Sequence, residues 1–414
     1  MTPVPDANDT IARIDALAQI GLRLAGQAPS GRIVLAKLAR MVKPEWVPDM
    51  WEGALWPDLL RDVHASAPEP LPLRTVEGIL ADAWGAKPSS ELDALDSEPA
   101  AVTWTAQVHR GEIDGAPVAV KVLRPGVDTA MRQDLALLDA LVAPLRDAFP
   151  EIDPAAIVTE ARERVLDELD LEQEASQQRR VARALRSDPA IVVPSPVTSL
   201  AHAHVLVCDW VDGVPLSAAA PGLGHGSGEM ARVPGFDPDH VARTLVRYVV
   251  GGLREGLVDA DVDPDDVLLL PDGRLALVDF GGVTAVDPAR CDLAVDVVSG
   301  FADRDPSRLG AGLAGLGLLP ATEGARALEL AAFALGPLGG GSDAQLDTAA
   351  VEGVVYRFEQ RGDDVATMLL TGGLAPADLW PARALAQLFA TIIAMGASAD
   401  WRNVVLSALR DGWR

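Results

Sequence analysis

The stretch Gly256–Gly281, GLVDADVDPDDVLLLPDGRLALVDFG, decides the fold. Its centre holds two apolar runs, Val267–Leu270 and Leu275–Val278, on either side of the turn sequence Pro271-Asp272-Gly273. Short apolar runs around a glycine turn predict a tight β-hairpin. Five aspartates occur in the eight residues before the first run, and Asp-Phe-Gly follows the second run. The hairpin therefore brings carboxylates from its two ends close together.

Carboxylates gathered in this way are typical of phosphoryl-transfer sites. Kinase-like phosphotransferases place metal-binding acids before such a hairpin and in the Asp-Phe-Gly after it. A solvated acidic loop before an ordinary hairpin is the alternative, since a three-letter match is a weak signal.

A lysine far upstream favours the phosphotransferase interpretation. Lys121 lies inside the strand-like run Val118–Val122, and kinases use a strand lysine to hold the α- and β-phosphates. The chain has 35 basic residues, of which four are lysines. A lysine retained in an arginine-rich chain indicates a need for its compact ammonium group. The alternative, a surface lysine on an edge strand, stays open.

Composition narrows the class of protein. The 414 residues are 49% hydrophobic and carry a net charge of -25, which argues against nucleic acid or an anionic membrane surface as a partner. The two cysteines, Cys208 and Cys291, lie alone in apolar contexts and are expected to be buried and inert. The N-terminus has no signal-peptide pattern, and the uncharged run 384–399 is too short to span a bilayer. We therefore expect a soluble, cytoplasmic protein.

The order of predicted elements is helical, then strand-rich, then helical again. Short helices are predicted before residue 95, the last over Leu73–Trp84. Strands are predicted over 101–110, 117–123, 189–193 and 204–210, in one small antiparallel sheet, and the first two are joined by Asp114-Gly115. One long helix is predicted from Asp153 to about Leu185. After Gly281 the predicted helices are 288–302, 305–316, 322–335, 345–360, 362–371 and 376–410.

Five segments resemble the UbiB/AarF/ADCK group of atypical kinase-like proteins. They are Pro99–Arg110, Val118–Val127, Glu168-Leu169-Asp170, Val205–Leu216 and the opening stretch. The resemblance implies an α+β, bilobal protein-kinase-like fold, with a small antiparallel sheet lobe and a mainly helical C-terminal lobe. The implied domains are a helical N-terminal extension at 1–95, an N-lobe at 96–212 and a C-lobe at 213–414.

The chain departs from the family pattern at three places. The family's catalytic segment, His-x-Asp-Pro-His-Pro-Gly-Asn, reads DADVDPDD over 259–266, so Asp261 is kept while Asp266 replaces the asparagine. Trp104 stands in the alanine-rich loop, where it can narrow the phosphate pocket. The inhibitory Lys-x-Gly-Gln signature is degraded to Lys37-Leu38-Ala39-Arg40.

The resemblance implies ATP and Mg²⁺ as cofactors and assigns roles to individual residues. Lys121 and Asp261 are the expected catalytic residues. The expected nucleotide-binding residues are Lys121, its ion-pair partner Glu168, and the hinge segment Asp209, Trp210 and Val211. The expected metal ligands are Asp266 and Asp279. In a straight helix Glu168 and Asp170 point about 200° apart, so both serve one site only if the helix bends or one of them contacts the N-terminal extension.

Two functions remain open at this point. The first is an ATP-dependent phosphotransferase or ATPase that acts on a small or lipid-like molecule. The second is a pseudokinase, in which the domain is a nucleotide-responsive binding module for a partner protein. Retention of Lys121, Asp261 and Asp279 favours the first, and the rebuilt acidic loop and Trp104 favour the second.

Overall fold

The fold is mixed α+β and mostly helical, as expected. The computed structural model describes residues 19–20, 68–149, 151–220, 223 and 236–414. The helices predicted before residue 68 and the segment Lys37-Leu38-Ala39-Arg40 lie outside the described residues. The helices are α1 (Leu73–Trp84), α2 (Val127–Leu135), α3 (Val142–Ala148), α4 (Pro154–Asp167), α5 (Leu171–Ala184), α6 (Leu216–Ala219), α7 (Pro238–Arg254), α8 (Ala289–Ala302), α9 (Pro306–Leu316), α10 (Gly324–Leu335), α11 (Thr348–Glu359), α12 (Gly362–Thr371), α13 (Leu379–Met395) and α14 (Trp401–Asp411).

The strands form one antiparallel sheet in the N-terminal half and smaller sheets in the C-terminal half. The strands are β1 (Ala94–Leu95), β2 (Ala101–Val102), β3 (Ala106–Ile113), β4 (Ala116–Leu123), β5 (Ile191–Val192), β6 (Val205–Asp209), β7 (Val214–Pro215), β8 (Leu257–Asp259), β9 (Val267–Leu269), β10 (Leu275–Leu277), β11 (Val283–Ala285), β12 (Ala344–Leu346) and β13 (Ala397–Ala399). The first sheet has the order β1-β3-β4-β6, with β2 paired to β3. The others are β5-β10-β9-β7, β11-β8 and β12-β13.

Strand β4 has two differently used faces. Val118, Val120 and Val122 are buried against Val76 and Leu80 of α1. Because side chains alternate along a strand, Lys121 and Leu123 lie on the opposite face. The β3–β4 turn is Asp114-Gly115, and both residues have positive φ (50° and 74°), which suits a two-residue hairpin turn. The predicted hairpin is confirmed, and it delivers Lys121 to the face that looks away from α1.

The predicted helix from Asp153 to about Leu185 is wrong in one respect, because it is two helices. Helix α4 ends at Asp167 and α5 begins at Leu171, so Glu168-Leu169-Asp170 is a break. The Asp170 carboxylate accepts hydrogen bonds from the N–H groups of Glu172 (3.0 Å) and Gln173 (3.2 Å). Aspartate competes for backbone donors in this way and favours helix starts over helix interiors. Asp153 caps the start of α4 as predicted.

The hairpin in the opening stretch is confirmed. Strands β9 and β10 are antiparallel, and the turn between them uses Gly273 at φ 86°. The assignment of the 189–193 strand to the first sheet is wrong. β5 pairs in parallel with β10, while β6 alone joins the first sheet next to β4.

The C-terminal half packs its helices around α7 and the hairpin. Its core includes the fully buried side chains of Leu245, Phe280 and Ile392. The predicted helix 376–410 is wrong, since Gly396 at φ 63° ends α13 and β13 separates it from α14. Cys208 and Cys291 are both buried and unpaired to each other, as predicted. Within the described ranges, no helix is long and apolar enough to cross a membrane.

Candidate functional site

The site is built around Lys121 on β4. Its Nζ donates to both carboxylate oxygens of Glu174, at 2.8 and 2.9 Å, and to Oδ2 of Asp279 at 3.1 Å. Glu174 lies one turn into α5, whose start is fixed by the Asp170 cap. The ion pair predicted between Lys121 and Glu168 is therefore wrong. The helix break moves the pairing glutamate from 168 to 174.

The charges of Lys121 and Asp279 stabilise each other, whereas burial raises the pKa of Glu174 to about 7. Burial by itself would lower the pKa of Lys121, but Asp279 and Glu174 outweigh it and hold that pKa above its ordinary value. Partial burial would raise the pKa of Asp279, but the Lys121 ammonium holds it below its ordinary value. Lys121 and Asp279 are therefore both ionised at neutral pH. A phosphate chain requires a cation such as the Lys121 ammonium, and a divalent metal ion requires a carboxylate such as that of Asp279.

The Asp-Phe-Gly segment is held by its neighbours on both sides. The Phe280 ring is fully buried, and its backbone N–H points to Oε1 of Glu174 at 3.4 Å. The N–H of Gly281 donates to Oδ1 of Asp279 at 2.9 Å. A Cβ atom at Gly282 would stand 2.8 Å from both the backbone N and the Cβ of Asp261. The glycine is therefore required for the close approach of Asp261 to the Asp-Phe-Gly segment.

The acidic loop is partly buried and hydrogen-bonded, so it is not a fully solvated loop. Asp259 and Asp263 are buried, and Asp265 is exposed. Asp259 accepts from the Tyr248 hydroxyl at 2.8 Å and from the N–H of Asp261 at 3.2 Å. Burial raises the pKa of Asp259 to about 7. Asp259 thus fixes the backbone that presents Asp261, although the family pattern has a histidine at this position.

Asp266 lies just before β9, beside β10, the strand that leads to Asp279. Its carbonyl accepts from the N–H of Val278 at 3.1 Å, and its carboxylate is near enough to Lys121 to contribute to the raised pKa. Asp266 and Asp279 supply the hard oxygen donors that Mg²⁺ prefers, and Mg²⁺ usually takes one or two carboxylates with the remaining ligands from phosphate and water. No group of three or more His, Cys, Asp or Glu side chains arranged for a metal is found in the described part of the chain. The donor set fits a metal that arrives with a nucleotide better than a permanent metal centre.

The hinge residues lie apart from this cluster. The backbone N–H of Asp209 donates to the carbonyl of Ser195 at 3.0 Å, and that of Trp210 to the carbonyl of Pro117 at 3.1 Å. The Trp210 indole donates to Asp212 at 2.8 Å, with the Arg110 guanidinium 5.5 Å from the ring centroid. Two of the N–H groups that the sequence assigned to adenine are therefore used inside the protein. The adenine contact expected at this segment stays a prediction.

A cavity of about 280 Å³ joins the lobes next to the cluster. Lys121, Glu168, Asp261 and Asp279 line it, whereas Asp266 and the hinge residues do not. Most of its wall is apolar and comes from β3, β4, α2, the α4–α5 region and the start of α13. The apolar lining residues are Ala106, Leu123, Met131, Val165, Leu169, Leu171, Leu379 and Trp380. We call this cavity the interlobe chamber.

A residue that the sequence did not single out completes the chamber. Arg383 of α13 donates to Oε1 of Glu168 at 2.8 Å and lies 2.8 Å from Oδ2 of Asp261. Glu168 therefore lies at the site as predicted, but it faces Arg383 and Asp261 instead of Lys121. The sequence carried no signal for Arg383, because it lies more than 100 residues after Asp279 with no motif around it. Glu174 was within reach of sequence reasoning, since the Asp170 cap marks the helix that carries it.

The fold is that of a protein-kinase-like protein, and the comparisons with known proteins define the family. Residues 63–311, more than half of the chain, match the ABC1 atypical kinase-like domain. The chain belongs to this family, which includes the UbiB and ADCK proteins.

Three curated relatives illustrate the similarity. An uncharacterized protein from Synechocystis sp. is 30% identical over 272 residues, covering 64% of this chain and 38% of that protein. A probable protein kinase UbiB from Marinobacter nauticus is 30% identical over 228 residues (53% and 40%). The chloroplastic protein ACTIVITY OF BC1 COMPLEX KINASE 1 from Arabidopsis thaliana is 25% identical over 256 residues (60% and 36%). The chain spans less than half the length of each of these three relatives.

One solved structure shares the fold across nearly the whole chain. It is the complex of Rv3197 with erythromycin from Mycobacterium tuberculosis, with a TM-score of 0.60, 21% identity, and 94% of each chain covered. The kinase-like fold therefore extends beyond the residues that match the family domain.

Proposed function

We propose that the protein is an ATP-binding atypical kinase that uses Mg²⁺ and acts as a phosphotransferase or ATPase. The observation that carries this proposal is the three-way contact of Lys121 with Glu174 and Asp279. It reproduces the arrangement in which a strand lysine, a helix glutamate and the Asp-Phe-Gly aspartate prepare a phosphate site. Asp261 lines the same interlobe chamber as Lys121 and Asp279.

Each residue has a separate part in the proposed reaction. Lys121 would hold the ATP phosphates, and Glu174 would keep its ammonium in place. Asp279 and Asp266 would ligate Mg²⁺, which neutralises phosphate charge when bound. Asp261 would orient the attacking hydroxyl or water and take up its proton as the oxygen bonds to the γ-phosphorus and the bond to ADP breaks. The protein contributes position and charge, which is most of what phosphoryl transfer needs.

The chamber supports a small acceptor with an apolar body. Its volume of about 280 Å³ lies at the lower end of ligand pockets, and its wall is mainly aliphatic with Trp380 at one side. A hydroxyl-bearing, lipid-like molecule fits such a wall with its polar end at Asp261. A small-molecule or protein acceptor outside the chamber remains an outcome of the assay below. The net charge of -25 supports an aqueous, cytoplasmic location.

The second candidate is a pseudokinase that binds nucleotide without turnover. The buried Asp259 favours it, because the family pattern has a histidine at this position. The extra charge at Asp266 also departs from the family's neutral asparagine. In this case the nucleotide would act as a regulator of partner binding.

A magnesium-dependent ATP turnover assay on the full chain separates the two candidates. We expect turnover that is abolished by chelation, and about 100-fold slower in Lys121→Met, in line with the loss of one charged group at a transition state. Lys87→Met is the matched control, since Lys87 is an exposed lysine away from the site. Nucleotide binding in the absence of turnover would support the pseudokinase. Equal turnover in Lys121→Met and Lys87→Met would refute the assignment of Lys121.

A further inference from the structure

Arg383 joins three separate parts of the chain at the edge of the interlobe chamber. Its guanidinium contacts Glu168 at the α4–α5 break and Asp261 in the acidic loop, each at 2.8 Å. The side chains of all three residues are largely buried, with 11% of Arg383, 9% of Glu168 and 21% of Asp261 exposed. We call these residues the arginine bridge. Residue 383 lies well past residue 311, where the family match ends.

The chemistry of the bridge requires an arginine. A guanidinium is planar and offers separate N–H groups in a fixed fork, so it can serve two carboxylates at the same time. Here NH1 donates to Glu168, and NH2 lies 2.8 Å from Oδ2 of Asp261 as a charge contact without hydrogen-bond alignment. The guanidinium carbon lies 5.1 Å from the centroid of the Trp380 ring, which restricts its plane. Lysine would present one compact charge and could not hold both carboxylates in the same geometry.

The bridge also neutralises a concentration of negative charge. Glu168, Asp261 and Asp279 all line the chamber, and Lys121 already pairs with Asp279. Burial would lower the pKa of Arg383, but Asp261 first and Glu168 second hold it above the ordinary value. The guanidinium therefore stays charged, and the Asp261 carboxylate has a partner that limits its rotation. Without Arg383 the carboxylates of Glu168 and Asp261 would both lose this cationic partner.

We infer that Arg383 is a positioning residue for Asp261, which it holds in the orientation needed at the acceptor hydroxyl by tying it to Glu168. The inference rests on the proposed function, because it assigns Arg383 a part in the same reaction. Arg383 acts through Asp261 and makes no contact with Lys121 in the described structure. Its loss should therefore affect the chemical step more than the binding of ATP.

The test is steady-state ATP turnover by the full chain, with kcat and KM measured separately. We expect Arg383→Met to lower kcat by roughly 10- to 100-fold, the range seen when a partner that orients a metal-ligating residue is removed. KM for ATP should change by less than about threefold, since uniform binding is untouched. Arg383→Lys keeps the positive charge without the forked N–H groups. Its kcat should fall between those of the natural protein and Arg383→Met, a partial rescue that simple structural damage would not show.

The matched control is Arg247→Met. Arg247 forms an ion pair with the buried Asp188 on another side of the molecule, so this variant also loses a partly buried ion pair, with no contact to Asp261. Its kcat should remain close to that of the natural protein. If Arg383→Met does not fold, the comparison of kcat between Arg383→Lys and Arg247→Met decides whether Arg383 positions Asp261.

A double variant tests the bridge itself. If Glu168 acts through Arg383, adding Glu168→Gln to Arg383→Met should lower kcat no further than Arg383→Met alone. If the kcat losses of the two single variants multiply fully in the double variant, Glu168 does not act through Arg383. Normal turnover in both Arg383 variants would overturn the inference and leave the proposed function standing. Absence of magnesium-dependent turnover in the natural protein would overturn the proposed function, and the inference with it.

Discussion

Replacing Glu174 by alanine distinguishes the Lys121–Glu174 ion pair of the structure from the Lys121–Glu168 pair expected from the sequence. Glu174 is almost completely buried and makes both of the shorter contacts to Lys121. Its removal leaves a buried ammonium with Asp279 as its remaining acidic partner at hydrogen-bond distance among the described residues. Breaking a buried ion pair by deleting one partner costs about 3 to 5 kcal/mol of unfolding free energy.

The lower end of that range applies here. Asp279 stays within 3.1 Å of Lys121, and 16% of the Lys121 side chain is exposed, so part of the lost interaction is recovered. We therefore expect Glu174→Ala to lower the free energy of unfolding by about 3 kcal/mol. This is a large share of the about 5 to 15 kcal/mol that stabilises most folded proteins. Turnover of ATP should fall as well, because Lys121 loses its orientation.

Chemical denaturation followed by fluorescence or circular dichroism measures the loss. Glu172→Ala is the control on the same helix, since Glu172 is exposed and should cost less than about 1 kcal/mol. Equal stabilities of the two variants would refute the ion pair. A loss of nucleotide affinity in Glu168→Ala with none in Glu174→Ala would restore the pairing that the sequence predicted.

Three further predictions concern pH, metal and location. Because the pKa of Asp259 is raised to about 7 in the folded protein, protonated Asp259 favours the folded state. The free energy of unfolding should therefore fall by up to about 4 kcal/mol as the pH rises from about 4 to about 7. Asp259→Asn should flatten that decline in denaturation curves, and an unchanged slope would contradict the assignment. Asp266→Asn removes one negative charge beside Asp279 and should raise the Mg²⁺ concentration needed for half-maximal turnover several-fold; an identical metal titration would show that Asp266 is not a ligand. Because the chain carries a net charge of -25, we expect it in the supernatant after lysis without detergent, and recovery mainly with membranes would refute this.

The parts of the fold predicted correctly from sequence were those fixed by local rules. Asp114-Gly115 and Pro271-Asp272-Gly273 are turn sequences with a definite backbone requirement, and both hairpins formed around them. Asp153 before a proline marked the start of α4 with equal clarity. Lys121 was singled out because it lies inside a strand-like run of an arginine-rich chain.

The errors occurred where a local signal was outweighed or absent. Asp170 was placed inside one long helix, although its carboxylate caps α5 and so breaks the helix. Glu168 was taken as the lysine partner from the family resemblance, whereas the structure pairs Lys121 with Glu174. The sheet assignment of β5 failed because parallel pairing with β10 joins residues over 80 positions apart. Arg383 could not be found, because its partners come together only through tertiary packing.

The break between α4 and α5 has a mechanical consequence. Helix α4 contacts the turn at 376–378 before α13 and ends just before Glu168, which is tied to Arg383. Helix α5 packs on β6 and carries Glu174 to Lys121. One continuous helix over 154–184 would be a rigid rod fixed to both lobes, and any change of angle between them would strain its hydrogen bonds. The three-residue break instead lets α4 and α5 take different directions while each helix keeps its own hydrogen bonds.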